Sequence, residues 1–62
     1  MPLTPKQMVR LLKQNGFEEV SQKGSHLKMR NAKTARQVEV PMHSEDLRTG
    51  TEQRILKDAG LK

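Results

Sequence analysis

The stretch KGSHLKMR contains the side chains whose types and spacing are best suited to chemistry. The chain has two histidines and no cysteine, tyrosine or tryptophan, so groups that exchange protons near neutral pH are scarce. His26 follows a Gly-Ser turn signal and begins an alternating segment with Lys28 and Arg30. Because side chains of a strand alternate between its faces, these three share one face, and the apolar residues between them face the core. The pattern predicts an imidazole beside two cations on an exposed surface.

This arrangement is suited to the cleavage of RNA. RNA carries its own nucleophile, the 2′-hydroxyl beside the scissile phosphate, so an enzyme needs a group that moves protons and cations that hold the phosphate. His26 is the candidate general acid or base, and the candidate phosphate contacts are Lys28, Arg30, Lys23 and Ser25. His43, in the segment PMHSED, is either a second proton-transfer group or a structural residue that fixes its loop.

The same residues also have a non-catalytic interpretation. A histidine in a strand is often an ordinary surface residue, Lys28 and Arg30 can pair with Glu39 across the strands, and Ser25 can simply serve the turn. Metal-dependent cleavage is disfavoured because Glu39, Glu45 and Asp46 are separated in the chain and do not form the carboxylate cluster of a two-metal nuclease. We therefore expect neither a metal nor another cofactor.

Two amphipathic helices are predicted near the ends of the chain. In LTPKQMVRLLKQNGF, Thr4 is the N-cap, Pro5 takes the first helical position, Gln7 completes a capping box and Gly16 ends the helix. The segment TEQRILKDAG, residues 51–60, forms the second helix. Its apolar face contains Ile55, Leu56 and Ala59.

Three short strands are predicted between the helices, at residues 17–22, 26–30 and 37–41. Phe17 and Val20 differ in parity, so one of them must lie outside the regular pairing. The element order is α-β-β-β-α. The economical arrangement is an α+β two-layer fold, a three-stranded antiparallel sheet with both helices on one face and the other face open to water. A chain of 62 residues has room for a single domain, residues 1–62.

The charge of the chain indicates the class of its partners. Twelve Lys and Arg against seven Asp and Glu give a formal net charge of +5, which is typical of proteins that bind nucleic acid. An acidic protein partner would also match this charge, and a basic chain can simply be soluble. No apolar run approaches the roughly 20 residues of a membrane span, and the N-terminus lacks a signal-peptide pattern. We therefore expect a cytoplasmic protein without a membrane partner.

Three linked motifs resemble the HicA family of bacterial toxins. They are NGFEEVSQKGSHLKMR, then VEVPMH, then LRTGTEQRILKDAGL, which together span nearly the whole chain in order. The family pattern is a helix ending in Gly-Phe, a Gly-Ser-His hairpin, a strand ending in Pro-x-His, and a last helix that opens with Gly-Thr.

The resemblance implies a fold similar to the double-stranded-RNA-binding domain. It also implies a bacterial toxin of a type II toxin–antitoxin system that cleaves mRNA without a metal, arrests translation and uses the Gly-Ser-His histidine, here His26. A HicB-type antitoxin would cover the active face, and DNA would be contacted only through that antitoxin. Two alternatives remain open: a module of the same fold that binds RNA without cutting it, and a small protein-interaction domain with an acidic partner.

Overall fold

The computed structural model of the protein describes residues 3–42 and 47–61. The elements in chain order are helix α1 (Pro5–Gln14), strands β1 (Phe17–Lys23), β2 (His26–Asn31) and β3 (Gln37–Pro41), and helix α2 (Thr49–Asp58). The strands form one antiparallel sheet in the order β1-β2-β3, so β2 is central and the other two are edge strands.

The start and end of α1 follow from its capping residues. The Thr4 hydroxyl accepts a hydrogen bond from the Gln7 backbone N–H at 3.2 Å, and the Gln7 side chain accepts one from the Thr4 N–H at 2.9 Å. The predicted capping box is therefore confirmed. Gly16 follows the helix with a φ of +91°, a conformation that favours glycine, and the chain then turns into β1.

A β-bulge in β1 resolves the parity conflict between Phe17 and Val20. The register with β2 shifts between Glu19 and Ser21, so Val20 has no partner in the regular ladder. Phe17 is buried, whereas Val20 is 55% exposed. The expectation that one of the two lies outside the regular pairing is confirmed, and the extra residue realigns the end of β1 with β2.

The core lies between one face of the sheet and the two helices. Its β2 and β3 residues alternate along their strands, and its helical residues come from the apolar stripes of α1 and α2. The buried apolar residues are Met8, Leu12, Phe17, Leu27, Met29, Val38, Val40, Leu47, Ile55 and Ala59. The predicted α+β two-layer architecture, with its three-stranded antiparallel sheet and two helices, is confirmed.

Helix α2 begins two residues earlier than the sequence predicts, at Thr49. Gly50 therefore lies within the first turn, although glycine is a weak helix former. Glu52 of that turn accepts a hydrogen bond from the Leu3 N–H at 2.9 Å, and the Leu47 N–H donates to the Leu3 carbonyl at 2.8 Å. These contacts hold the start of α2 against the segment that precedes α1. Neither described helix has the length and apolar character needed to cross a membrane.

Asn31 is a buried polar residue that sequence reasoning did not single out. Its side chain is enclosed at the end of β2, where the residue is 6% exposed. The Asn31 amide donates to the Asn15 carbonyl at 3.0 Å, and its oxygen accepts from the N–H groups of Lys33 and Thr34. One side chain thus joins the end of α1 to the loop between β2 and β3.

Candidate active site

A two-residue hairpin loop places His26 at the first position of β2. Lys23 and His26 are partners in the ladder, and Gly24 and Ser25 form the loop between them. Gly24 has a φ of +59°, whereas Ser25 does not have a positive φ. A positive φ at the first loop position only is the pattern of a type II′ turn, whose twist matches that of the paired strands.

The alternation along β2 separates the core from the open face of the sheet. Leu27 and Met29 are buried against the helices, whereas His26 and Arg30 are exposed and Lys28 is half-buried. This is the alternation that the sequence predicts. The imidazole therefore lies outside the packed layer, where a large ligand can reach it.

Cross-strand pairing determines which side chains surround the imidazole. Lys28 lies between Ser21 of β1 and Glu39 of β3, and His26 lies between Lys23 and Pro41. Directly paired residues point to the same face, so these side chains share the open face. A shallow depression in that face is lined by Ser21, Lys23, His26, Lys28 and Glu39. It combines one imidazole, two ammonium groups and one carboxylate.

Glu39 is the charged group whose contact with the imidazole the sequence did not predict. Its Oε2 lies 3.9 Å from Nδ1 of His26, and the two side chains are 58% and 56% exposed. Glu39 is paired with Lys28 in the register of β2 and β3. Its carboxylate nevertheless lies within ion-pair distance of its diagonal neighbour, His26. Within residues 3–42 and 47–61, neither Lys28 nor Arg30 has a carboxylate within 4.0 Å. The pairing of these two cations with Glu39, on which the non-catalytic interpretation drew, is therefore absent from the described part of the chain.

The model of one protein family, described as the HicA toxin of bacterial toxin–antitoxin systems, matches residues 5–61. The chain belongs to this family. The match spans both helices and all three strands, including the hairpin that carries His26. No curated protein matches the chain. The protein is thus a HicA-family toxin of a toxin–antitoxin system.

Two of the other predicted site residues of this HicA-family chain lie outside the depression. Arg30 lies between Glu18 and Gln37, four residues from His26, which corresponds to roughly 13 Å along an extended strand. Ser25 is in the hairpin loop, and its carbonyl accepts a hydrogen bond from the Met42 N–H. His43, predicted as a second proton-transfer group or a structural residue, lies outside the described ranges, as do Glu45 and Asp46. Among the described residues, no group of three or more His, Asp or Glu side chains is arranged to hold a metal ion.

His26 also borders a second concavity, which sequence reasoning missed. This feature, the β3–α2 groove, runs along the outer edge of β3, and its α2 wall includes Thr51, Arg54 and Asp58. Arg54 is exposed, and the helical pattern of the sequence carries no information about the strand that lies beside this part of α2. The imidazole of this HicA-family toxin is therefore accessible from two sides.

Proposed function

We propose that this toxin is a metal-independent endoribonuclease that cleaves mRNA and so arrests translation. The observation that carries the proposal is the exposed imidazole of His26 in a depression that also contains Lys23 and Lys28. The family membership supports the toxin part of the proposal. The reaction class is inferred from the chemistry of the side chains.

The reaction that suits these groups is an internal phosphoryl transfer. The 2′-oxygen attacks the adjacent phosphorus, the bond from phosphorus to the 5′-oxygen breaks, and the products are a 2′,3′-cyclic phosphate and a free 5′-hydroxyl. The 2′-hydroxyl gives up one proton and the leaving oxygen gains one. A neutral imidazole of His26 can accept the first proton, and a protonated one can donate the second. The nucleophile belongs to the substrate, so the proposal requires no metal-activated water.

Positive charge near the imidazole would bind the phosphate and stabilise the charge that develops on it. Lys28 is two residues along the strand, about 7 Å from His26 by strand geometry. It lies in the same depression as Lys23. Arg30 would contact the RNA backbone one row further along the open face, and the Ser25 hydroxyl would contact it at the hairpin. His43 stays a prediction as a second proton-transfer or structural residue.

The toxin must be held inactive until it is released, and we propose that a HicB-type antitoxin covers the active face. The net charge of +5 attracts an acidic protein as well as RNA. Contact with DNA would be made by the antitoxin, without direct participation of this chain. The site of action would be the bacterial cytoplasm, where the mRNA substrate is found.

The proposal is tested by cleaving a long mRNA with the purified chain in excess EDTA and analysing the fragment ends. The expected result is cleavage that EDTA does not prevent, with 2′,3′-cyclic phosphate and 5′-hydroxyl ends. The matched control is the same RNA with 2′-deoxy substitution at the mapped sites, which should be bound and left intact. Binding of the RNA without cleavage would indicate that the chain is a module that binds RNA and does not cut it. Fragments with 5′-phosphate ends would show that the 2′-hydroxyl is not the nucleophile.

A further inference from the structure

The β3–α2 groove differs from the depression in the atoms that it presents. Strand β3 is an edge strand, so its outer side has no neighbouring strand in the sheet. Two hydrogen bonds at the ends of β3 show which of its backbone groups point toward β2. The Asn31 N–H donates to the Arg36 carbonyl at 2.9 Å, and the Met42 N–H donates to the Ser25 carbonyl.

The register then identifies the backbone groups on the outer edge. Bonded pairs alternate along an antiparallel ladder, so Val38 and Val40 direct their N–H and C=O groups toward β2. Gln37, Glu39 and Pro41 direct theirs outward. The outer edge therefore offers two N–H donors, from Gln37 and Glu39, and three carbonyl acceptors, since proline has no N–H. This is a template for one more extended strand.

The charges of the groove favour a peptide over a nucleic acid. Its charged lining consists of the carboxylates of Glu39 and Asp58, the Arg54 guanidinium and the His26 imidazole. Two carboxylates beside a single permanent cation repel a chain of phosphates. The depression on the open face has the opposite balance, with Lys23 and Lys28 beside Glu39. RNA is thus better accommodated on the open face, whereas a polypeptide can bond the backbone groups along the edge.

A second copy of this chain is a poorer occupant than a different protein. The longest antiparallel self-pairing, centred on Glu39, sets the two Glu39 side chains directly opposite each other, where like charges are destabilising. It also pairs Gln37 with Pro41, and proline has no N–H to donate the second hydrogen bond of that pair. Each copy carries a net charge of +5, so two copies repel, whereas an acidic protein is attracted.

We infer that the outer edge of β3 docks an extended segment of the antitoxin, one without an excess of acidic side chains, which adds to the sheet as a fourth strand. The inference rests on the proposed function, because it gives that partner a binding mode. His26 lines the same groove, so a strand laid along Gln37 and Glu39 toward Pro41 would pass one side of the imidazole. Strand addition and protection of the proposed active site would then be one event.

The test uses the full chain, alone and in complex with the antitoxin that suppresses its toxicity. Amide hydrogen exchange is measured at Gln37 and Glu39, and at Gln22 on the opposite edge of the sheet as the control. The expected result is strong slowing at Gln37 and Glu39 in the complex and little change at Gln22. Unchanged exchange at Gln37 and Glu39 would overturn the inference. So would slowing caused by a non-cleavable 2′-O-methyl RNA, or by raising the concentration of the toxin alone.

Proline substitutions give a second, independent measurement. Gln37→Pro removes an outward N–H at the first residue of β3, where proline is tolerated, and leaves the ladder with β2 intact. Gln22→Pro removes an outward N–H from β1 in the same way. We expect Gln37→Pro to weaken antitoxin binding about 10-fold, as for the loss of one hydrogen bond, and Gln22→Pro to leave it unchanged. Equal affinities for the two folded variants would contradict the inference. RNA cleavage by each free variant is measured separately, so a failure of the nuclease proposal is distinguished from a failure of this one.

Discussion

The Glu39 carboxylate approaches the His26 imidazole diagonally across β2 and β3, with 3.9 Å between Oε2 and Nδ1. A carboxylate beside a ring nitrogen favours one orientation of the imidazole. It also places a negative charge beside the cations that would bind phosphate. Glu39 is therefore expected to assist proton transfer and to weaken RNA binding.

Glu39→Gln should separate these two effects. We expect turnover to fall by about 2- to 5-fold and binding of a 2′-O-methyl RNA to tighten by a similar factor, as is typical of an exposed charge interaction. The measurements are kcat and the dissociation constant. Glu18→Gln is the matched control, because Glu18 is exposed on the same face opposite Arg30. It should tighten binding without a loss of turnover, and an equal loss in both variants would contradict the role of Glu39.

Lys28→Gln should reduce kcat/KM by about 10-fold, because the depression loses one of its two ammonium groups. The salt dependence of RNA binding should fall by about one unit of slope if this lysine contacts a phosphate. Lys57→Gln removes the same charge from an exposed position on α2 that lines neither concavity. Similar losses in the two variants would indicate a general charge effect and would count against a specific contact.

Gly60→Ala should destabilise the fold by about 1–2 kcal/mol, because L side chains rarely adopt a positive φ. Gly60 has a φ of +76°, and a Cβ there would lie 2.9 Å from Nε of Arg36. The Arg36 guanidinium also donates to the Asp58 carbonyl at 3.3 Å, which ties the loop before β3 to the end of α2. The check is the free energy of unfolding in urea.

Gly50→Ala is the control for that measurement and should have the opposite sign. Gly50 lies in the first turn of α2, and a Cβ there would meet no atom within 4 Å. We expect a stabilisation of about 0.5–1 kcal/mol from helix propensity. If both alanine variants change stability in the same direction, the conformational account of the two glycines is wrong.

Asn31→Ala should cost about 2–3 kcal/mol, because it removes a buried side chain that makes three hydrogen bonds. That is a large share of the stability of so small a domain. Asn15→Ala is the matched comparison, since its exposed amide donates one bond, to the Leu11 carbonyl at 2.8 Å. Its cost should stay below about 0.5 kcal/mol in the same urea titration. Equal costs would mean that the Asn31 network contributes little.

Much of the fold follows from local signals in the sequence. The capping box at Thr4, the glycine turn before His26 and the alternation through Leu27 and Met29 each act within a few residues. They predict the element order and the face on which the imidazole lies. The bulge at Val20 was foreseeable as a parity conflict.

The missed features depend on contacts between distant segments. The approach of Glu39 to His26 requires the register of two strands, and the β3–α2 groove requires the position of α2 beside an edge strand. The role of Asn31 depends on a loop and a helix end meeting around one amide. The early start of α2 at Thr49 goes against the helix propensity of Gly50, and packing against the segment before α1 compensates for it.

The central claim is that the His26 imidazole performs the proton transfer in RNA cleavage. The most direct measurement is the rate of mRNA cleavage in EDTA by His26→Ala, with amide NMR spectra showing that the variant keeps the fold. We predict a loss of about 10²- to 10⁴-fold, the range expected when a general acid or base is removed. Cleavage by the folded variant at a rate within about 3-fold of the parent would contradict the claim, because a difference that small is less than about 0.7 kcal/mol in the barrier.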